Sequence, residues 1–448
     1  MSDQPIMSVS GIRGIVGESF TPELCSSMAY CQTKIAGGGD VIIGRDTRPS
    51  GESIMKAICK GVRAAGGIPV DIGIAPTPTT CVAVKEMNAQ AGIIITASHN
   101  PSQYNGYKMV HHSGRLYTGA ECEEVYNRYR NSKEIYEEKI AAHDGTPGRT
   151  VDASALHVEL ILNAVDVDTI RNMGLSVAVD SINGAAGAVF PLLLEKLGVS
   201  WHGVNTDLSG NFAHNPEPRP EHLIQLSEFL KNSSGLNAGF GFDPDADRLI
   251  TMGEHGEAVS EEMTLALSLN AVLENEKSDI VTNLSTSRVI DDVAEKFGVK
   301  VYRTKIGEAN VVEGMKAHGC AVGGEGNGGV IYPRVSTARD GFTAMALIIE
   351  LMARKMTNLI SLVKEWSSYA LVKEKIPCEN KSPHDVIARL VEKFSDETTD
   401  TQDGLKIIRE KSWVHVRPSN TEPIIRCYAE APSEKDARQL ADMIIDAV

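Results

Sequence analysis

Three times in this chain an apolar, strand-like run ends in a loop that carries unusual polar residues. Ala91-Gly92-Ile93-Ile94-Ile95 runs into Thr96-Ala97-Ser98-His99-Asn100-Pro101. Leu236 to Phe242 runs into Asp243-Pro244-Asp245-Ala246-Asp247-Arg248. Cys320-Ala321-Val322-Gly323 runs into Gly324-Glu325-Gly326-Asn327-Gly328-Gly329. Short β-branched runs bounded by turn residues read as buried strands. Reactive side chains just beyond strand ends are the habit of α/β sheets. No strong residue-level repeat accompanies the three units, so what recurs is organisation.

The rest of the chain fits that frame. Strands are expected at 40–46, 67–74, 175–180, 199–204, 279–283 and 300–303. Helices are expected at 52–65, 78–88, 185–197, 261–273, 287–297, 308–317 and 343–356. Alternation of this kind predicts parallel or mixed sheets covered on both faces, an α/β fold. The last stretch differs, with strands at 373–377, 405–409, 413–416 and 424–430 and a helix over 434–447, and reads as a small α+β domain. A chain of 448 residues exceeds one ordinary core. Four domains are expected, over 1–150, 151–253, 254–367 and 368–448.

Composition narrows the function classes. No apolar run is long enough for a membrane helix, and no secretory signal is expected. Eight cysteines without C-x-x-C spacing predict buried thiols in a reducing cytoplasm. A net charge of −15 argues against nucleic acid. An anionic substrate would therefore need locally concentrated positive charge, and few residues can supply it.

Ser98 stands where strand gives way to loop, with the His99 imidazole beside it and Pro101 stiffening the turn. Asp243, Asp245 and Asp247 alternate, and Glu254 falls at the twelfth position, close to a calcium EF-hand. Arg248 replaces the glycine that hand requires at its sixth position, and a strand precedes the loop where a helix is needed. A compact carboxylate loop suits Mg²⁺ better, since Mg²⁺ takes a few carboxylates and completes its shell with phosphate or water. Ser10-Gly11-Ile12-Arg13-Gly14 sets Arg13 among glycines. Arg417-Pro418-Ser419-Asn420-Thr421-Glu422-Pro423 packs a guanidinium, hydroxyls and an amide together, with Arg426 three residues on, a set suited to phosphate oxygens or else a polar hairpin. Lys108 follows the serine loop closely. Glu325 and Asn327, between glycines, can meet sugar hydroxyls.

Together these motifs resemble the α-D-phosphohexomutase superfamily, in order and spacing, over essentially the whole chain. The resemblance implies a four-domain, heart-shaped architecture with three related α/β domains and a smaller C-terminal domain around a central cleft. It implies a phosphoserine at Ser98. Mg²⁺ would be held by Asp243, Asp245 and Asp247 with the Ser98 phosphate, one ion per chain. Lys108 and His99 would take acid/base and electrostatic roles, and Arg13 and Arg248 would neutralise the transferring group. Glu325 and Asn327 would hold the sugar. Arg417, Ser419, Asn420, Thr421 and Arg426 would hold the non-reacting phosphate. A hexose 1,6-bisphosphate would be intermediate and activator.

Many relatives carry Gly-Glu-x-Ser-Gly-His in the sugar loop. Here Asn327 and Gly329 stand at the serine and histidine positions. The start of the chain looks most like phosphoglucosamine mutases. Lys305 and Glu308 are expected at the sugar, where Glu308 can favour an ammonium at carbon 2 or simply stabilise a helix N-terminus. Glucosamine phosphate is therefore the expected substrate, with mannose or glucose phosphates as the alternative. A sugar phosphatase would use the same serine and metal but pass the phosphoryl group to water. A non-enzymatic calcium- or sugar-binding protein would leave Ser98, Lys108 and Arg417 unexplained. The expected protein is cytoplasmic, a monomer or homodimer, free of nucleic-acid and membrane partners.

Overall fold

Val41, Ile42 and Ile43 are all fully buried, and they lie in the strand Gly39–Arg45, an interior strand of a seven-stranded sheet. Both faces of that strand are covered: Val41 and Ile43 join one apolar cluster and Ile42 another, as period-two alternation requires. The architecture is that of a computed structural model describing residues 4–131, 133–378, 382–419 and 424–448.

Four strands of this sheet set a pattern. Gly67–Ile74, Gly39–Arg45 and Ala91–Ile95 run parallel in that order, and Tyr104–His111 returns antiparallel beside the last. A second sheet repeats it with Ser200–Val204, Ser176–Asp180, Ala238–Phe242 and the returning Leu249–Met252. A third repeats it with Val301–Thr304, Ile280–Asn283, Val322–Glu325 and the returning Gly329–Ile331. The serine, aspartate and glutamate loops are each the connection from the last parallel strand to the returning one. The recurrence legible in the sequence is thus a repeat of topology.

The fourth sheet is wholly antiparallel, in the order Ala370–Pro377, Ile424–Ala431, Trp413–Pro418, Leu405–Ile408, Thr399–Asp400. Helices Pro383–Lys393 and Glu434–Ile445 complete a separate core with it. The second and third units instead share one continuous core, reaching from Val158 to Leu362. At its centre is the helix Gly341–Lys355, buried from Gly341 to Ala353 and capped by the Asp340 side chain, which accepts from Phe342 and Thr343 N–H.

One expected helix is broken. Residues 185–197 form a 3-10 turn over Ala185–Ala188 and then the helix Phe190–Leu197. Pro191 explains the division: it lacks an N–H and is tolerated only in a first turn, so the helix starts immediately before it. All eight cysteines are buried, as expected. No helix among the described residues is long and apolar enough to cross a membrane.

Candidate active site

Ser98 follows a fully buried strand and adopts the left-handed backbone conformation at φ 49°, which costs a non-glycine residue of order 1–3 kcal/mol. A buried scaffold maintains it. Thr96 Oγ1 donates to Asp46 Oδ2 at 2.6 Å and accepts from Ser98 N–H at 2.9 Å. The guanidinium of Arg48, 1% exposed, spends four hydrogen bonds on the serine loop and a fifth on Asp46. Its Nε donates to Asp46, Nη1 to the carbonyls of Pro101 and Tyr104, and Nη2 to those of Ser98 and Asn100, at 2.7–3.0 Å. The Phe212 ring, from the second unit, covers that guanidinium at 4.9 Å.

Ser98 Oγ donates to Asp243 Oδ2 at 3.1 Å and lies 3.3 Å from His99 Nδ1. Burial, then Arg248 and Arg13, pushes the His99 imidazole down to about 2, so it stays neutral. Arg13 reaches this loop because its strand, Gly11–Ile15, pairs with Tyr104–His111, Arg13 opposite Gly106. Only glycine fits at 106, since a Cβ would stand 2.3 Å from the Thr96 carbonyl oxygen. Arg13 Nη1 donates to Asn100 Oδ1 at 3.2 Å.

Asp243, Asp245 and Asp247 are fully buried, and one carboxylate oxygen from each lies within 4.8 Å of the others. Burial, then Asp247 and Asp245, drives Asp243 well above the usual carboxylate range. Burial also opposes the charge of Asp247, but Arg339, Lys108 and Arg248 outweigh it and hold that carboxyl low. Lys108 Nζ sits 2.6 Å from Asp245 and 3.3 Å from Asp247, and Thr77 Oγ1 donates to Asp245 at 2.6 Å. Burial disfavours the Lys108 ammonium, yet the two aspartates leave its pKa raised. Lys108 therefore faces two carboxylates of the aspartate loop. Asp245 Oδ1 and Asp247 Oδ1 are buried without a hydrogen-bond partner. Orphaned hard oxygens of this kind fit a divalent cation.

Above this floor opens a cleft of about 670 Å³, lined by residues of the first, third and fourth units as well as Glu217, Arg219 and Arg248 of the second. Glu325 ends its strand 3% exposed, its Oε1 accepting from Asn283 Nδ2 at 2.8 Å and Gly307 N–H at 3.2 Å. Arg339 joins the loops: Nη2 donates to Asp247 and Nη1 to Glu325, both at 2.6 Å, and its backbone N–H donates to Glu308 Oε1 at 3.1 Å. Arg339 Nε stands 3.1 Å from Glu308 Oε2 without hydrogen-bond alignment, so that oxygen has no hydrogen-bond partner. Asn327 lines the cleft with its Oδ1 unpartnered. Arg417 and Arg426 line it from adjacent strands in direct register. Lys305 is exposed and does not line it. Ser419 N–H donates to the Ile424 carbonyl, and Asn420 and Thr421 lie outside the described residues.

Comparison with known proteins agrees with this arrangement. The chain matches the phosphoglucomutase/phosphomannomutase alpha/beta/alpha domains I, II and III over residues 5–136, 155–256 and 260–369, and the C-terminal domain over 374–447. A phosphoglucomutase/phosphomannomutase of Thermococcus kodakarensis is 38% identical over 97% of this chain and 96% of its own. The chain belongs to the phosphoglucomutase/phosphomannomutase family. A probable phosphoglucosamine mutase of Methanopyrus kandleri is 35% identical over 98% of this chain and 96% of its own. A solved phosphoglucomutase/phosphomannomutase family protein from Burkholderia thailandensis superposes with TM-score 0.86 at 26% identity, covering 99% of this chain and 96% of that one. The protein is accordingly a phosphohexomutase, an isomerase with the four-domain architecture of that family.

Within the phosphohexomutase pattern, Gly329 stands where many sugar loops carry histidine. A Cβ at 329 would lie 2.3 Å from Arg339 Cδ, so Arg339 fills the space that side chain would need. Arg48, Thr77, Asn283 and Arg339 escaped the sequence reading. Arg48 follows the strand Gly39–Arg45 in a charged loop, the same signal that marked Ser98. Arg339-Asp340 is a charged pair opening a helix otherwise uncharged until Glu350.

Proposed function

We propose that the protein interconverts glucosamine 6-phosphate and glucosamine 1-phosphate through phosphoserine 98 and a 1,6-bisphosphorylated sugar. A hydroxyl of the bound hexose phosphate attacks phosphorus, the bond to Ser98 Oγ breaks, and a bisphosphate forms. It turns over in the cleft, and the Ser98 hydroxyl takes back the other phosphoryl group. The proton that the attacking hydroxyl sheds is matched by the one Ser98 Oγ gains, and Asp243 Oδ2, 3.1 Å from Ser98 Oγ, is the acceptor beside it. Lys108, Arg13 and Arg248 spread positive charge around the transferring group, which is most of what phosphoryl transfer asks of a protein. That local charge also answers how a chain of net charge −15 takes an anionic substrate. Asp243, Asp245 and Asp247 would hold Mg²⁺ with the Ser98 phosphate, adding charge neutralisation at the phosphoryl oxygens. Arg417, Arg426 and the Ser419-Asn420-Thr421 stretch would hold the other phosphate, and a hexose 1,6-bisphosphate would restore phosphoserine when it is lost.

The observation that carries the sugar assignment is Glu308 Oε2, a buried carboxylate oxygen in the cleft wall with no hydrogen-bond partner. An ammonium at carbon 2 would give it the hydrogen bond that the Arg339 ion pair at 3.1 Å does not. The name of the Thermococcus kodakarensis relative favours a second reading, mannose and glucose phosphates. Side-by-side kcat/KM on the 1-phosphates of glucosamine, N-acetylglucosamine, mannose and glucose separates them. One charged contact predicts a preference for glucosamine over glucose phosphate of about tenfold or more. Burial pushes Glu308 up to about 7. Only the carboxylate attracts an ammonium, so the preference should grow as pH rises from 6 to 7.5. A preference for mannose or glucose phosphate at every pH contradicts the assignment.

A further inference from the structure

Glu325 Oε1 is held by two donors, and each donor is a neighbour in sequence of a residue gripped by the fourth domain. Asn283 Nδ2 is the first donor. The loop that begins at Asn283 is folded back on its own side chain, whose Oδ1 accepts from Ser285 N–H at 2.9 Å. The next residue, Leu284, gives its carbonyl to Lys406 Nζ at 2.5 Å, and Ser285 Oγ lies 2.7 Å from His415 Nδ1. Gly307 N–H is the second donor. Its neighbour Ile306 donates its N–H to Asp403 Oδ2 at 2.9 Å.

Asp403 ties the two grips together. Its carbonyl oxygen lies 2.7 Å from His415 Nε2. A carbonyl only accepts, so Nε2 carries the proton and Nδ1 accepts from the Ser285 hydroxyl. One residue of the fourth domain thus holds the 304–307 loop directly and the 283–286 loop through a single imidazole. Lys406 and His415 are 2% and 1% exposed, so these contacts work away from water, where a missing partner is costly.

We propose that the fourth domain aims Glu325 at the sugar, with Asp403 as the positioning residue, in addition to supplying a phosphate clamp. This rests on the reading of Glu325 as the sugar-binding carboxylate. Docking of the fourth domain brings Asn283 and Gly307 to the distances at which both donate to one oxygen of Glu325, leaving the carboxylate one orientation. Undocked, each loop loses its outside support, and only the Arg339 contact to Oε2 at 2.6 Å still orients the carboxylate toward the sugar hydroxyls.

The test measures kcat/KM for the parent hexose 1-phosphate and its monodeoxy analogues on the full-length enzyme. Wild type should lose about ten- to a hundredfold at the hydroxyl that Glu325 grips, the scale of a hydrogen bond to a charged group. Glu325→Ala should erase that loss. Asp403→Ala should reduce it to within about threefold, and Asp403→Asn, which keeps an acceptor for Ile306 N–H, should restore it. Asp403→Ala keeps its backbone carbonyl on His415 and cuts only the Ile306 contact, so Ser285→Ala, which cuts the imidazole link instead, should also reduce that loss. Arg417→Ala should lower kcat/KM for parent and analogues alike and leave their ratios as in wild type. Full hydroxyl discrimination in Asp403→Ala overturns the proposal while the Glu325 reading stands. Equal flattening by Arg417→Ala overturns it too, since any loosening of the fourth domain would then suffice. Wild-type discrimination in Glu325→Ala removes the Glu325 reading and the proposal with it.

Discussion

At the scale of single residues, the site is built by buried cations that substrate need not touch. Arg48 satisfies all five guanidinium donors on four carbonyls of the serine loop and on Asp46. Those bonds oppose the strain of Ser98 at φ 49°. A lysine would keep the charge beside Asp46 but cannot span four acceptors, because an ammonium has three donors and no fork. Arg48→Lys should therefore misplace Ser98 without unfolding the chain. The expected result is a kcat about a hundredfold lower with KM within about threefold, since small misplacements of reacting groups cost that much. Steady-state kinetics beside a circular dichroism melt checks it, and a wild-type kcat contradicts it.

At the scale of elements, the fourth domain's docking surface is chemically exposed to pH. Burial pushes His415 down to about 4, against an ordinary value near 6.5, so it is neutral when docked. A depressed folded-state pKa means that protonation favours the undocked or unfolded state. The stabilisation is complete above about pH 6.5 and is lost as pH falls through about 4, amounting to about 3 kcal/mol at most. Denaturant unfolding between pH 7 and 4 should show this slope in wild type and lack that share of it in His415→Gln; equal slopes contradict it. Such elements were unevenly legible. The runs feeding Ser98, Asp243 and Glu325 announced themselves by Ile93 to Ile95, by Phe240 and Phe242, and by Val322 before glycines. Helices Pro22–Ala36, Gly119–Asn131 and Lys133–Ala141 did not, because their apolar positions are filled by Cys, Tyr and Ala or diluted by charge. The hairpin delivering Arg13 is short, with Met7 opposite Ile12, and its register depends on partners distant in sequence. Arg339 was invisible because its meaning lies in three carboxylates at 247, 308 and 325 that only tertiary structure brings together.

At the scale of the whole molecule, one cleft is assembled from all four units, and the proposed bisphosphate would be held in it at both ends. Arg417 lies in the fourth unit and Ser98 in the first, yet a sugar with phosphates at opposite ends would engage both. Under the proposed mechanism each phosphate would take its turn at the clamp, so removing it should weaken both orientations of the bisphosphate. Arg417→Ala should lower kcat/KM by about one to two decades, the worth of a charge-assisted contact, and Arg417→Lys should recover only part. Unchanged kinetics with every hexose phosphate would mean that the fourth domain does not serve the substrate.

In the proposed mechanism Ser98 donates its phosphoryl group to a sugar hydroxyl and receives one back. Enzyme labelled with radioactive phosphate on Ser98 and mixed with unlabelled glucosamine 6-phosphate in a single turnover tests it most directly. The expected result is label leaving the protein for sugar bisphosphate and then both sugar monophosphates, with none released as inorganic phosphate. Label that stays on the protein, or that appears as inorganic phosphate without isomerised sugar, contradicts the account.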